Sequence, residues 1–265
     1  MAEALTATGP IWYQVDGPSE APALLLSNSL GTTDALWDRV LASFRTRFRV
    51  IRYDTRGHGR SAVTPGPYSL ATLGADAVAV LDAAGIGRAH CCGVSLGGLT
   101  GMWLGIHAPH RIDRLVLANT GALVGTAEIW NRRIAVVETE GMTAIVPSLL
   151  ERWFTPEFRA GNPSTVAMFS RMLAGIPPVG YVGAAAAVRD ADLREQIAAI
   201  RAPTLVVVGT RDPATPPALG ELIRDRITGA RLVGLDAAHL SNVEQPAAFA
   251  TAVTDFLFDP ETTHG

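Results

Sequence analysis

The chain contains only two cysteines, and they are neighbours, Cys91 and Cys92. A disulfide between adjacent residues is sterically poor, and a metal site needs more ligands than two thiols. We therefore expect both thiols to be buried and reduced, without a bound metal. Reduced thiols are typical of a cytoplasmic protein, which is the location that we predict.

Long apolar runs and a strong charge bias are also absent. No stretch of about 18 apolar residues occurs, and residues 1–10 lack the parts of a secretory signal. The net charge of −3 is weak and forms neither a basic stripe nor an acidic tail. These absences argue against a membrane or nucleic-acid partner. With 48% hydrophobic residues, 265 residues suffice for one large domain or one domain with an insertion.

Short apolar runs alternate with helical patterns along much of the chain. The runs that predict strands are 11–15, 23–27, 49–54, 88–92, 114–118, 204–209 and 231–235. The main helical patterns are 37–44, 70–84, 96–107 and 246–258. This alternation predicts an α/β fold with a mostly parallel central sheet flanked by helices.

Residues 122–196 interrupt the alternation. They contain helical patterns but no convincing buried strand, and they are longer than a single crossover requires. We predict that they form a helical cap (lid) inserted into a core made of residues 1–121 and 197–265. The alternative is that these helices are ordinary crossovers between strands.

The sequence Gly93-Val94-Ser95-Leu96-Gly97 lies between a predicted strand and a predicted helix. A serine on such a sharp turn projects its hydroxyl group beyond the edge of the sheet. The turn is crowded, so the positions two before and two after the serine must be nearly free of side chain, which glycine provides. Ser95 is therefore a candidate nucleophile, although a glycine-rich turn with an incidental serine gives the same pattern.

A serine nucleophile needs a nearby base, and the base needs an orienting acid. His239 is the candidate base, because it lies in a loop between a late strand and a late helix. His107 and His110 end the helix that follows Ser95 and are expected to point away. His264 is one residue from the end of the sequence, and His58 and His90 precede the serine in the chain. His58 is expected to pack a loop between glycines.

The candidate acid is Asp212, which follows the strand 204–209 in a proline-rich loop. Its expected role is to hold one tautomer of the imidazole and to stabilise the imidazolium. Asp236 competes for this role, but it lies only three residues before His239 and is better placed for a turn. Asn119 follows the preceding strand and carries no charge.

A cationic side chain interrupts the apolar face of the first helix predicted in the cap. On a helix over residues 128–138, one face carries Ile129, Trp130, Ile134, Val136 and Val137. Arg133 falls within this face, whereas Arg132 lies on the opposite one. A buried charge is costly unless it is paired. Arg133 is therefore expected to meet either a carboxylate of the protein or an anionic substrate, and the spacing leaves both alternatives open.

The chain resembles the α/β-hydrolase family over nearly its whole length. The family's order of motifs is present: Asp54-x-Arg56-Gly57-His58-Gly59-x-Ser61, the serine turn, the loop 209–216 and Ala238-His239. More narrowly, the sequence is similar to the 3-oxoadipate enol-lactonases. The segments that carry the narrower resemblance are 27–33, 130–134, 152–156 and 212–217.

The family resemblance implies a serine hydrolase that needs no cofactor. Ser95, Asp212 and His239 match the positions of a catalytic triad in the family's chain order. The backbone N–H groups of Leu30 and Leu96 match the donors of an oxyanion hole. Some relatives place the acid where this chain has an uncharged asparagine.

The narrower resemblance implies a small anionic lactone as substrate, 3-oxoadipate enol-lactone, in the breakdown of aromatic compounds. Its carboxymethyl group favours the substrate-binding alternative for Arg133. Trp130 and Trp153 are expected to line the pocket, although either is also a plain core residue. The rival hypotheses are a carboxylesterase, a C–C bond hydrolase, a perhydrolase without a cofactor, and a ligand sensor that retains the triad. The sequence leaves the oligomeric state open.

Overall fold

A computed structural model describes residues 2–259 of the chain. Its strands are β1 (Ala2–Thr6), β2 (Gly9–Asp16), β3 (Ala23–Ser27), β4 (Arg49–Tyr53), β5 (Ala89–Val94), β6 (Ile112–Ala118), β7 (Thr204–Gly209) and β8 (Arg231–Leu235). They form one sheet in the order β1-β2-β4-β3-β5-β6-β7-β8. Strand β2 pairs antiparallel with both β1 and β4. The other neighbouring strands, from β4–β3 to β7–β8, pair in parallel. The predicted α/β fold with a mostly parallel sheet is thereby confirmed.

Helices follow most strands. They are α1 (Asp38–Phe44), α2 (Leu70–Ala83), α3 (Leu96–His107), α4 (Ala127–Glu140), α5 (Val146–Trp153), α6 (Pro156–Gly161), α7 (Pro163–Ala174), α8 (Pro178–Arg189), α9 (Pro217–Arg226), α10 (Ser241–Glu244) and α11 (Pro246–Phe258). Helix α1 packs against α11, and α2 packs against α3. Every residue of β5 and of β7 is buried, which explains why their sequences are mostly apolar.

The structure differs from the sequence prediction at the first strand, at the start of α1 and at the ends of several strands. Strand β1 was not predicted, because its residues are mostly exposed and its pairing with β2 gives no apolar alternation. A turn of 3-10 helix over Asp34–Trp37 precedes α1, so the α-helix begins later than predicted. Strands β5 and β6 each extend two residues beyond one predicted end.

Between β6 and β7 the chain forms the helices α4 to α8, which we call the inserted helices. Within them, α4 packs along α8 and α5 packs along α7. The absence of a strand between residues 122 and 196 agrees with the helical patterns of this segment. The division of the chain into a core and a cap at these boundaries stays a prediction.

The length and composition of the helices bear on membrane spanning. Among residues 2–259, no single helix is long and apolar enough to cross a membrane. Helices α7 and α8 reach the necessary length only as a pair, and the pair is bent by 94°.

The parallel strands bring distant loops to one edge of the sheet. Ser95 follows β5, Asp212 follows β7, and His239 follows β8. The loop 28–33 follows β3, which is the neighbour of β5. Since the carboxyl ends of parallel strands lie at the same edge, these loops surround one crevice.

Candidate active site

Ser95 lies between β5 and α3 with a positive φ of 58°, a strained conformation for a residue with a side chain. A Cβ atom on Gly93 would lie 2.1 Å from the carbonyl oxygen of Gly97. A Cβ atom on Gly97 would lie 2.0 Å from the carbonyl oxygen of Ser27. The turn therefore requires glycine at both positions, as the sequence predicted.

Asp212 and His239 form a buried hydrogen-bonded pair. The Asp212 Oδ2 atom lies 2.9 Å from Nδ1 of His239, and neither side chain is more than 5% exposed. The other carboxylate oxygen, Oδ1, accepts the N–H groups of Ala214 and Thr215 at 2.8 and 3.0 Å. Burial opposes the charge of Asp212, but His239 and Thr215 outweigh it and lower the pKa of Asp212 to about 2. The acid is therefore a carboxylate at neutral pH, as an orienting acid must be.

Neighbouring groups fix the orientation of this pair. The Asn119 side chain donates to Asp212 Oδ2 and to the carbonyl oxygen of Ala238, both at 3.1 Å. The backbone N–H of Leu240 donates to the carbonyl oxygen of Trp153 at 3.1 Å. Hydrogen bonds thus connect the loop that carries His239 both to the end of β6 and to α5.

The rival acid and bases lie elsewhere. The Asp236 side chain is 76% exposed and pairs with Arg211 at 3.8 Å. His107 and His110 are exposed at the far end of α3, as predicted. His90 is buried against Phe48, and His58 is buried in a loop described below. His264 lies outside the described residues.

A cavity of about 420 Å³ lies between the sheet edge and the inserted helices. Ser95 and His239 both line it, so the two residues border one space. The predicted pocket residues Trp130, Arg133 and Trp153 line it as well. Among the described residues, no aspartate or glutamate lines this cavity, although two arginines do. The permanently charged side chains that line the cavity are therefore both cationic.

Arg133 is half-buried on α4, with its guanidinium carbon 4.5 Å from the centre of the Trp130 ring. Within residues 2–259 it forms no ion pair with a carboxylate, whereas its neighbour Arg132 pairs with Glu128 at 3.0 Å. Of the two alternatives left open by the sequence, the intramolecular ion pair is thus absent from the described part of the chain.

The prediction for Ile129 was wrong. It was placed on the buried apolar face of α4, but its side chain is 48% exposed. The reason is that this end of α4 borders the opening of the cavity, which Ile129 lines. Trp130, Ile134 and Val137 are buried as the pattern predicted.

Arg152 and Tyr181 are two of the lining residues that were missed as site candidates. Arg152 is exposed on α5, directly before the buried Trp153, and a helical pattern alone assigns it to solvent. Tyr181 is buried on α8 among glycines and alanines that give no functional signal. Burial raises the pKa of the Tyr181 phenol, and the charge of Arg133 offsets part of this effect. The phenol and the guanidinium are therefore neighbours in the cavity wall.

The loop after β3 contains Leu30, which lines the cavity and has a backbone N–H without a partner among the described residues. Asn28 anchors the start of the loop, because its side chain donates to the carbonyl oxygen of Tyr53 at 2.6 Å. A turn follows, closed by the bond from the N–H of Thr32 to Ser29 O at 3.2 Å. Within residues 2–259 the N–H of Leu30, inside this turn, has no hydrogen-bond partner. Leu96 is the first residue of α3, so its N–H has no helical partner either.

His58 is completely buried and contacts the same loop. The N–H of Gly31 donates to Nε2 of His58 at 3.1 Å, so Nε2 carries no proton. Nδ1 therefore carries the proton and donates to the carbonyl oxygen of Arg56 at 3.1 Å. Burial lowers the pKa of His58 to about 4, which keeps the ring neutral at physiological pH.

This low pKa predicts a loss of stability in acid. The pKa of His58 is about 4 in the folded protein and 6.5 ordinarily, so between these values the unfolded chain binds more protons. Stability should therefore fall as the pH drops from about 6.5 to about 4, by about 3 kcal/mol from His58 alone. Urea unfolding at pH 7 and pH 4.5 measures the fall, which should be smaller in His58→Gln. His107 is exposed, so the free energy of unfolding of His107→Gln should fall as much as that of the wild type. An identical fall in all three proteins contradicts the prediction.

Neither a metal-ligand cluster nor an exposed thiol occurs among the described residues. Residues 2–259 contain no group of three His, Cys, Asp or Glu side chains that would hold a metal ion. Cys91 and Cys92 are free thiols buried in β5, and burial raises the pKa of both. These thiols are therefore protonated core residues.

Comparisons with known proteins agree with this geometry. The family model described as alpha/beta hydrolase fold matches residues 22–246. The 3-oxoadipate enol-lactonase 2 of Acinetobacter baylyi is 43% identical over 241 residues, which cover 91% of this chain and 90% of that protein. The crystal structure of the enol-lactonase from Burkholderia xenovorans LB400 has a TM-score of 0.94 and 41% identity, covering 96% of this chain and 99% of that one.

A hydrolase from Pseudomonas aeruginosa PA01 is similar to the same degree in structure. Its TM-score is 0.94 at 49% identity, and the match covers 97% of this chain and 98% of that one. The resemblance expected from the sequence is thereby confirmed. The order of the strands, the serine turn and these matches show that the chain belongs to the α/β-hydrolase family.

Proposed function

We propose that the protein is a serine hydrolase that opens 3-oxoadipate enol-lactone to 3-oxoadipate. One observation carries the choice of an anionic lactone: the cavity with the serine and the histidine is lined by two arginines and by no carboxylate of the described chain. The relatives named as enol-lactonases supply the identity of the lactone. A fit to small substrates is supported by the cavity volume of about 420 Å³.

In the first half of the reaction, Ser95 Oγ attacks the lactone carbonyl carbon while its proton moves to Nε2 of His239. Asp212 stabilises the imidazolium that results. The tetrahedral intermediate collapses with cleavage of the ring C–O bond, and the enol oxygen takes the proton from His239. This leaves an acyl group on Ser95 and an enol that tautomerises to the ketone.

In the second half, water attacks the acyl carbon and transfers a proton to His239. The proton then returns to Ser95 Oγ as the carboxylic acid leaves, and the acid loses its remaining proton to solvent to give the carboxylate product. An enolate is a better leaving group than an alkoxide, so most of the protein's contribution is positioning and stabilisation of the oxyanion. We assign the latter role to the N–H groups of Leu30 and Leu96, both of which lack an intramolecular partner in the described chain.

We assign Arg133 to the carboxymethyl group of the substrate. Stacking on Trp130 restrains the guanidinium, and its half-buried position weakens screening by water. A restrained guanidinium binds a carboxylate through two parallel hydrogen bonds. Arg152 lies at the exposed end of the same cavity, where its charge attracts anions as they approach.

Substitution of Arg133 by alanine tests the choice of substrate. We expect kcat/KM for the enol-lactone to fall by about 10²–10³-fold, because a partly buried charge partner is lost. The comparison substrate is α-angelica lactone, which has the same ring but a methyl group in place of carboxymethyl. For this neutral lactone, kcat/KM should change by less than about threefold.

The matched control is Arg132→Ala, which removes an exposed arginine from the other face of α4. It should leave both lactones unaffected. An equal loss on both lactones in Arg133→Ala would assign that residue a structural role. A wild-type protein that turns over the two lactones equally well would contradict the proposed substrate, and faster turnover of neutral esters would favour a carboxylesterase.

We further propose that the inserted helices act as a cap over residues 1–121 and 197–265, and that the protein works in the cytoplasm. The first proposal is supported by the cavity, since α4, α5 and α8 form its upper wall. The second is supported by Cys91 and Cys92, which are reduced and buried.

A further inference from the structure

His58 is the strongest side-chain candidate outside the triad and the substrate pocket. It is a neutral, fully buried imidazole whose two ring nitrogens both have defined partners. One partner is Gly31, the residue directly after Leu30. We propose that His58 is a positioning residue for the reaction, which holds the turn so that the N–H of Leu30 points into the cavity. The inference rests on the proposed function, because it takes Leu30 as an oxyanion donor.

The loop that carries His58 is itself rigid. The backbone N–H of His58 donates to Thr55 O at 2.9 Å, and its carbonyl oxygen accepts from the N–H of Ser61 at 3.1 Å. Gly57 and Gly180 are in close contact, since a Cβ atom on Gly180 would lie 2.0 Å from the carbonyl oxygen of Gly57. The imidazole therefore projects from a fixed support, as a positioning group requires.

The turn that it contacts needs such a restraint. Gly31 has a positive φ of 81°, and glycine populates this region without a steric penalty but also leaves it easily. The bond to His58 Nε2 fixes the peptide between Leu30 and Gly31. The N–H of Leu30 belongs to the preceding peptide, between Ser29 and Leu30. Its direction therefore depends on how the peptide between Leu30 and Gly31 is oriented. A donor is useful to an oxyanion only if it is oriented before the charge develops.

Two substitutions separate the contacts of the two ring nitrogens. The polar atoms of glutamine reach the position of Nε2 and can accept from Gly31. Those of asparagine reach only the position of Nδ1 and can donate to Arg56. We expect His58→Asn to lower kcat by about 10²-fold, the effect of losing one oxyanion donor, with KM unchanged within about twofold. His58→Gln should keep kcat within about tenfold of the wild type.

The effect should be the same for the enol-lactone and for α-angelica lactone, because both form an oxyanion. In His58→Asn, binding of phenylboronic acid, which imitates the tetrahedral intermediate, should weaken by about the same factor as kcat. Inhibition by the product 3-oxoadipate should not change. The control is His90→Gln, a second buried histidine that is remote from the cavity, which should keep the wild-type kcat.

The inference is overturned if the folded asparagine variant keeps the wild-type kcat, or if the glutamine variant loses more than the asparagine variant. Should the asparagine variant not fold, the glutamine variant decides alone, and a hundredfold loss there overturns the inference. Its failure is distinct from that of the proposed function. If the enol-lactone proves not to be the substrate, p-nitrophenyl acetate gives the same comparison, since its hydrolysis also passes through an oxyanion.

Discussion

Replacement of Ser95 by alanine is expected to lower kcat for the enol-lactone by about 10⁶-fold. The hydroxyl is the nucleophile of the proposed mechanism, whereas the nearby hydroxyl of Thr215 donates to Asp212 and lies beside Nδ1 of His239, not Nε2. Residual catalysis of about 10³–10⁴-fold over water should remain, because the backbone donors and the arginines are unchanged. The decrease in absorbance of the enol-lactone measures turnover, and circular dichroism measures folding.

The strained backbone of Ser95 supplies a control for this experiment. Ser95→Gly should be equally inactive, but glycine tolerates the positive φ of 58° at this position. The strain that serine bears costs about 1–3 kcal/mol, so the glycine variant should be more stable than the wild type by about 1 kcal/mol in urea unfolding. An alanine variant that keeps more than one-hundredth of the wild-type activity would remove Ser95 from the mechanism.

The serine turn and most strands were predictable because their signals are local. The turn needs glycine at fixed distances from Ser95, and strands that are buried on both faces are continuous apolar runs, as in 204–209. Asp212 and His239 follow from the same logic, since each comes directly after a predicted strand. Parallel topology then brings their loops to one edge of the sheet.

The cavity wall was only partly predictable, because it depends on contacts between distant segments. Gly57 and Gly180 pack backbone to backbone, and this contact places Tyr181 and the loop of His58 next to the serine site. No periodicity within either segment encodes such a contact. The exposure of Ile129 has the same cause, because the helical pattern identifies an apolar face without identifying what covers it.

For Arg133, in contrast, the structure adds to the sequence, because it bears on which of two partners meets the guanidinium. The spacing placed a cation on an apolar face and allowed two partners. The described part of the chain supplies no carboxylate to this guanidinium, and the cavity beside it contains none. We therefore propose that a ligand supplies the partner of this charge, and substitution of Arg133 is the most informative test of the substrate.

Substitution of Asp212 by asparagine should lower kcat by about 10⁴-fold with little change in KM. Oδ2 now accepts from His239, Thr215 and Asn119, so an amide nitrogen at this position faces donors. This unfavourable contact between donors is relieved if the imidazole gives up the proton on Nδ1 and carries it on Nε2. In that tautomer Nε2 cannot accept the proton of the serine.

Asp212→Asn should therefore slow the chemical steps without weakening binding. Inhibition by 3-oxoadipate should match the wild type, because the pocket arginines are unchanged, whereas both lactones should lose kcat equally. The matched control is Asp236→Asn, which removes an exposed carboxylate close to the same histidine in sequence and should keep full activity. If instead Asp236→Asn is the damaging substitution, the acid has been assigned to the wrong loop. A selective loss on the enol-lactone alone would mean that Asp212 organises the anion pocket and not the imidazole.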